Sequence, residues 1–321
     1  MISLRSWTLT IAGLALACVA GASGPLAPVR LAQTNATRKA NPTAQGAGTP
    51  QSSAPSEAEL QALGDRIIAA VHRNDAALDE YERVERHTVM SGAEHRVTDD
   101  KTYRIVPTGT GTLHLLFKDG GKPVDAETYR RQLNDWKQVL EIANNPKDPR
   151  QQAVYAKWKR RMKERSDLVD SARKAFNATW NGREAQNGRM TDVLTLEPNP
   201  SFEPHTISET VLTHARVKIW VDDASGNIVH GEAEIMRDVY FGGGILGKLY
   251  RGARFSLDNI EVDHGIWAPA RIQYNISGRK FLFLFETLEV TETSKYRRIG
   301  PPAQALALVT NELAHGAVVD P

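Results

Sequence analysis

The chain has 321 residues, of which 41% are hydrophobic, 24% charged and 7% aromatic, with a formal net charge of +2. That is an ordinary globular profile, which excludes a wholly disordered chain, a collagen-like fibre and a strongly basic nucleic-acid binder. The single cysteine, Cys18, excludes an internal disulfide framework and leaves a structural zinc site to histidines and carboxylates.

Residues 1–22 read as a secretory signal peptide, with one early positive charge at Arg5, an apolar run from Trp7 to Ala17 and small residues after it. The run is shorter than the roughly 20 apolar residues needed to span a bilayer. Ala20-Gly21-Ala22 supplies an A-x-A-type cleavage site. The expected location is the periplasm, or outside the cell, after cleavage. Cys18 offers a second ending, because a cysteine after an apolar run is where bacterial lipoproteins are lipidated. Leu16 beside Ala17 fits that processing poorly, so the unanchored ending is preferred. Residues 23–55 are Ala, Pro, Thr, Gln, Ser and Gly with a few basic residues and no acid. They cannot bury enough apolar surface to offset the entropy of ordering, and a disordered linker is expected.

The folded body is expected over residues 56–298. Ser56-Glu57-Ala58-Glu59 is a capping box, and Leu60, Leu63, Ile67 and Val71 continue it at helical spacing. Strands are expected at Tyr81–Met90, Lys101–Val106 and Thr112–Lys118, as an antiparallel meander. A helical insert, 125–179, follows. Asp125 caps a first helix with Tyr129, Leu133, Trp136 and Leu140 on one face, and Asp148-Pro149 opens a second helix running to about Phe176. After Asn181-Gly182 the text becomes β again, to about Lys295. Further strands are expected near 189–197, 209–221, 228–240, 250–262, 266–276 and 280–292, joined by short turns that fit an antiparallel sheet. The total is about nine strands and three helices. Residues 299–321 form a tail that is either a weak docked helix or frayed.

Little in the sequence points to catalysis. Gly242-Gly-Gly-Ile-Leu-Gly-Lys248 nearly spells a phosphate-binding loop, but Leu249 replaces the magnesium-holding hydroxyl and the text leads into a strand. Its glycines are read as a flexible hairpin or bulge. The nine histidines show no ligand spacing, and there is no G-x-S-x-G elbow. No enzyme activity, metal or cofactor is therefore expected. Lys157, Lys159, Arg160, Arg161, Lys163 and Arg165 form a basic cluster on the second insert helix. It is either a solvated face or a contact for an anionic membrane surface or an envelope partner. Five consecutive large apolar residues, Phe281-Leu-Phe-Leu-Phe285, call for a strand covered on both faces. Apolar strand position alone nominates Leu113, Leu115, Trp220, Phe281, Phe283 and Phe285 as lipid-lining residues.

An exported chain with these elements resembles the lipoprotein-sorting carrier superfamily that includes LolA and LolB. The points of contact are Asp119-Gly-Gly-Lys-Pro123, Gly182-Arg-Glu184, Val193-Leu-Thr-Leu-Glu-Pro198, Val217-Lys-Ile-Trp-Val-Asp222 and Gly265-Ile-Trp-Ala-Pro269. The resemblance implies an α+β fold, mainly antiparallel. Its core would be an unclosed β-barrel or strongly curved sheet, with an N-terminal helix and a helical-hairpin lid sheltering lipid or lipoprotein acyl chains. It implies a carrier that uses no cofactor and catalyses nothing. The long insert departs from the compact family pattern, which keeps a second reading open: a structural or sensory envelope module that binds a protein.

Overall fold

The computed structural model describes residues 54–316. The expected signal peptide, Cys18 and all but the last two linker positions lie outside them. Helix α1, Glu57–Leu78, starts at the expected capping box, where Glu59 N donates to Ser56 Oγ at 3.3 Å and Ser56 N donates to Glu59 Oε2 at 2.7 Å. The meander follows as β1 (Tyr81–Ser91), β2 (Arg96–Pro107) and β3 (Thr112–Asp119), with a short β4 (Lys122–Pro123). Next come α2 (Ala126–Ala143) and α3 (Pro149–Ala175), capped by Asp125 and Asp148 as the sequence predicts. The order continues β5 (Phe176–Gln186), β6 (Arg189–Pro198), α4 (Ile207–Leu212), β7 (Ala215–Asp222), β8 (Ile228–Ile235), β9 (Val239–Phe241), β10 (Gly247–Leu249), β11 (Arg254–Asp263), β12 (Ile266–Lys280), β13 (Phe283–Arg298) and α5 (Pro302–His315).

Among the described residues thirteen strands form one antiparallel sheet in the order β4-β3-β2-β1-β13-β12-β11-β8-β7-β6-β5, with β10 pairing β12 and β9 pairing β10. The sheet is not closed into a barrel; β4 and β5 are its edges. The expected α+β class with an open antiparallel sheet holds.

Two expectations are corrected, and the hairpin expected at Gly242–Gly244 is found. The strand expected over 209–221 begins only at Ala215, because Thr206 and Glu209 make a second capping box and start α4. β structure resumes before Asn181-Gly182, not after it: β5 starts at Phe176 and runs through the pair with an irregular register between Trp180 and Arg183, and the turn falls at Asn187-Gly188. The Gly242–Gly244 segment is a tight 3-10 turn inside the β9–β10 hairpin. Gly278 lets this hairpin approach β12, since a Cβ there would stand 2.4 Å from the Lys248 carbonyl oxygen and 2.7 Å from the Phe285 ring.

Strand alternation places two cores on opposite faces of the sheet. On one, the α5 face, Val84, Val106, Leu115 and Phe117 meet Tyr129, Leu133, Trp136 and Leu140 of α2 and Ala305 and Val309 of α5. On the other, the α1 face, Leu194, Val217, Ile219, Phe255, Leu257 and Ile272 meet Leu63, Ile67 and Val71 of α1, Leu168 and Val169 of α3, and Val211 and Leu212 of α4. The insert therefore divides, α2 covering one face and α3 the other, so the expected hairpin lid is not a single layer over one cavity. The tail question resolves as a docked helix.

The ladder between β1 and β13 joins the two halves. Its register slips by one residue between Glu82 and Val84, which pair with Arg297 and Ser294, and Lys295 at this bulge has φ +54°.

Candidate functional site

The α1 face carries one continuous cross-strand row. Leu194 on β6 pairs with Ile219, Ile219 with Gly231, Gly231 with Leu257 and Leu257 with Ile272 on β12. The row then changes character: Ile272 pairs with Thr291 on β13, Thr291 with His87 on β1 and His87 with Lys101 on β2. An apolar floor thus runs without a break into a polar patch on the same face.

In that patch Arg83 Nε donates to Glu85 Oε1 at 2.7 Å, and His87 Nε2 lies 3.0 Å from Glu85 Oε2. Lys101 Nζ donates to Asp99 Oδ1 at 2.7 Å. Tyr103 stands edge-on to both His87 and His114, with ring centroids 5.5 and 5.9 Å away. Arg83, Glu85 and Lys101 are buried, as are Thr291 and Thr293. Burial would push the Glu85 carboxyl up, but the Arg83 guanidinium, with hydrogen bonding and charge from His87, holds it well below the usual carboxylate range. Nearby Tyr274 is pushed upward by its own burial and by the carboxylates of Glu289 and Glu85. Chemically the patch offers fixed, paired charge at the end of the apolar floor.

The folded state holds the Glu85 carboxyl below its ordinary value of 4.5, so its stabilising contribution is complete above that range and disappears as the pH falls through it. Urea titrations from pH 7 to pH 2 should show a shallower acid loss for Glu85→Gln than for the native chain. At pH 7 the variant should be weaker by about 3 kcal/mol, because Arg83 is left buried without its partner. Parallel acid limbs would refute this assignment.

The nominated lipid-lining residues do not converge. Leu115 is buried in the α5-face core and Leu113 packs against it. Trp220 also points away from the apolar floor, donating its Nε1 hydrogen to Glu184 and lying 4.8 Å, centroid to centroid, from His230. His230 Nδ1 is in turn 2.7 Å from Asp258 Oδ1. Burial alone would lower the His230 pKa, but Asp258 and then Glu232 raise it. Phe285 packs at the margin of the α1-face core.

The double cover expected for Phe281–Phe285 is corrected: Leu282, Phe283 and Leu284 are 86, 77 and 73% exposed, and Phe281 is 50% exposed. The run straddles the β12–β13 turn at the end of the sheet, where the two-face rule for an interior strand does not apply. Of the basic cluster, Arg165 Nη2 donates to Asp75 Oδ1 at 2.7 Å, Lys163 to Asp167 at 2.7 Å, and Arg160 lies 3.7 Å from Glu164. Lys157, Lys159 and Arg161 are exposed.

Sequence reasoning missed the polar patch. The signal was present in Tyr81-Glu-Arg-Val-Glu-Arg-His87, where charge falls on both faces of a strand, an arrangement that a sheet with one apolar face would not show. Among the described residues no three His, Cys, Asp or Glu side chains group as metal ligands, and no helix is long and apolar enough to cross a membrane.

No family model and no curated protein matches the sequence. The chain is similar to three solved structures. With a domain assigned to outer membrane lipoprotein sorting in Vibrio parahaemolyticus it shares 9% identity over 73% of this chain and 92% of that one, at a TM-score of 0.32. With a DUF1329 family protein from Desulfovibrio piger it shares 12% identity over 74% and 92%, at a TM-score of 0.32. With a LolA superfamily protein from Nitrosomonas europaea it shares 10% identity over 77% and 96%, at a TM-score of 0.30. No residue role, ligand or activity passes to this chain at such identities.

Proposed function

We propose that the chain is an exported, non-enzymatic binding protein of the bacterial envelope that takes up an amphiphile: a lipid, or the acyl chains of a lipoprotein. One observation carries this reading, the unbroken row on the α1 face from the apolar floor at Leu194–Ile272 to the charged patch at Arg83, Glu85, His87 and Lys101. An acyl tail matches the first part by burial of apolar area, and a polar head matches the second by charge-assisted hydrogen bonds.

The apolar floor is packed under α1, α3 and α4, so entry requires one of these helices to lift. Helix α3 is suited to this, because only its C-terminal third supplies buried residues (Leu168, Val169 and Ala175). Peripheral polar ties hold it: Arg165 to Asp75, Asp170 to His72, and Ser171 Oγ donating to Glu209 Oε1 at 2.8 Å.

The test is uptake of a fluorescent fatty acid by the purified protein, together with mass spectrometry of any lipid that copurifies. A short bifunctional maleimide joining the cysteines of His72→Cys/Asp170→Cys, at positions whose native side-chain tips meet at 3.2 Å, should block uptake, while the same variant without the cross-link should not. A native protein that neither carries nor takes up a lipid would overturn the proposal. It would leave the second reading, an envelope interaction module, which is favoured by the exposure of Val154, Tyr155 and Met162 among the basic residues of α3.

A further inference from the structure

We propose that the chain docks on an anionic membrane surface through two neighbouring turns beside the end of β12. These are the Phe281-Leu282 turn of the β12–β13 hairpin and the Ile245-Leu246 segment of the β9–β10 loop. Phe281 N donates to the Leu246 carbonyl at 3.2 Å, and Arg279 Nη2 donates to the Gly244 carbonyl at 3.1 Å, which fixes the two turns side by side. Together they expose Ile245, Leu246, Phe281, Leu282, Phe283 and Leu284 as one apolar patch. Singly exposed apolar residues need no explanation, but a contiguous patch of large ones marks an interaction surface.

The flanking charge selects the occupant. Segments 237–251 and 279–286 hold five basic residues, Arg237, Lys248, Arg251, Arg279 and Lys280, against two acids, Asp238 and Glu286. Asp238 and Lys248 pair with each other at 2.7 Å, which leaves four basic residues against Glu286. The register sets Lys280 opposite Phe283 and Arg279 opposite Leu284, so the cations stand one to two residues behind the apex. At about 3.3 Å per residue they lie at the depth of lipid phosphates when the apex enters the acyl boundary.

Shape points the same way. The apolar side chains project from turns and do not line a groove, so they suit a fluid surface that closes around them and not a rigid complementary partner. The apex is also unusual, because a two-residue hairpin turn ordinarily uses Asn or Gly where φ is positive. Here a phenylalanine holds φ +51°. This docking does not depend on the amphiphile reading.

The experiment is co-sedimentation of the full chain with vesicles of phosphatidylcholine alone and of phosphatidylcholine with phosphatidylglycerol. At about 0.1 M salt, where charge attraction is only partly screened, the native protein should pellet with the anionic vesicles and much less with the neutral ones. Leu282→Asp/Phe283→Asp/Leu284→Asp and Arg279→Glu/Lys280→Glu should each weaken binding at least about tenfold. Thermal melts should be unchanged because the substituted side chains are exposed, and the single Leu282→Asp variant provides the reading if the triple variant fails to fold. The aspartate variants should keep fatty-acid uptake, which separates this result from failure of the amphiphile proposal. Absence of vesicle binding by the native chain, or equal binding by the variants, overturns the proposal. So does a native dimer that becomes monomeric in the aspartate variant without any vesicle binding, which would show that a second copy covers the patch.

Discussion

Replacing Arg104 with methionine will lower the unfolding free energy by about 3–5 kcal/mol, read as a shift of the urea midpoint at constant slope. Arg104 is 2% exposed and sits inside the α5-face core. Its Nε donates to Glu82 Oε1 at 2.6 Å, and its Nη1 donates to Glu312 Oε2 at 2.6 Å and to the Tyr129 hydroxyl at 3.3 Å. The Tyr129 hydroxyl donates onward to Glu312 Oε1 at 2.7 Å, and Arg297 Nη2 donates to Glu82 Oε2 at 2.7 Å. Burial, and then this bond to Glu312, push the Tyr129 hydroxyl up to about 12.

Methionine matches the stem of Arg104 but leaves buried Glu312 with only the Tyr129 hydroxyl and Glu82 with only Arg297, and the loss comes from carboxylate charge no longer compensated inside the core. Adding Glu312→Leu and Glu82→Gln to Arg104→Met should therefore recover most of the stability, since a buried ionic group and a well-packed apolar replacement are often close in energy. A single-variant loss below about 1 kcal/mol would show that water reaches the cluster.

Stopping the chain after Gly300 will cost about 5 kcal/mol or more, because it combines an uncovered core with a broken buried ion pair. Helix α5 contributes Ala305 and Val309 to the core over Val84, Val106 and Leu115, brings Glu312 to Arg104, and accepts a hydrogen bond from Asn144 Nδ2 at the Pro302 carbonyl, 3.2 Å away. The damage should be regional, since the core under α1, α3 and α4 contains no residue of α5. Hydrogen exchange should show β1 to β3 and α2 losing protection while β6 to β8 keep theirs. Uniform loss across the sheet would show that the two cores unfold as one unit.

Local signals were legible and pairing was not. The capping box at Ser56–Glu59, the cap at Asp125 and the Asp148-Pro149 start are complete within a few residues, so α1, α2 and α3 are legible directly. Thr206–Glu209 carries the same information, but the β-branched residues that follow it also fit a strand, so α4 is not legible from the pattern alone. Which face each insert helix covers depends on β1 pairing with β13, some two hundred residues away in sequence, and periodicity holds no trace of that. Phe281–Phe285 reads alike whether it crosses a sheet or turns at its end. The polar patch is visible only when Thr291 and His87 are known to be neighbours.

The bulge at Lys295 has a consequence for heredity. Along β13, Thr291 and Thr293 serve the polar patch, and Arg297, also odd-numbered, serves the ionic cluster on the opposite face; the extra residue between them supplies the change of phase. The strand therefore works as a measured scale on which the apolar turn, the patch and the cluster are marked at fixed intervals. Most substitutions along it touch one mark at a time. Losing or gaining one codon between Thr293 and Arg297 would turn one set of side chains through the sheet relative to the other. Two features with no contact in common would then fail together, so this short stretch should tolerate changes of residue far better than changes of length.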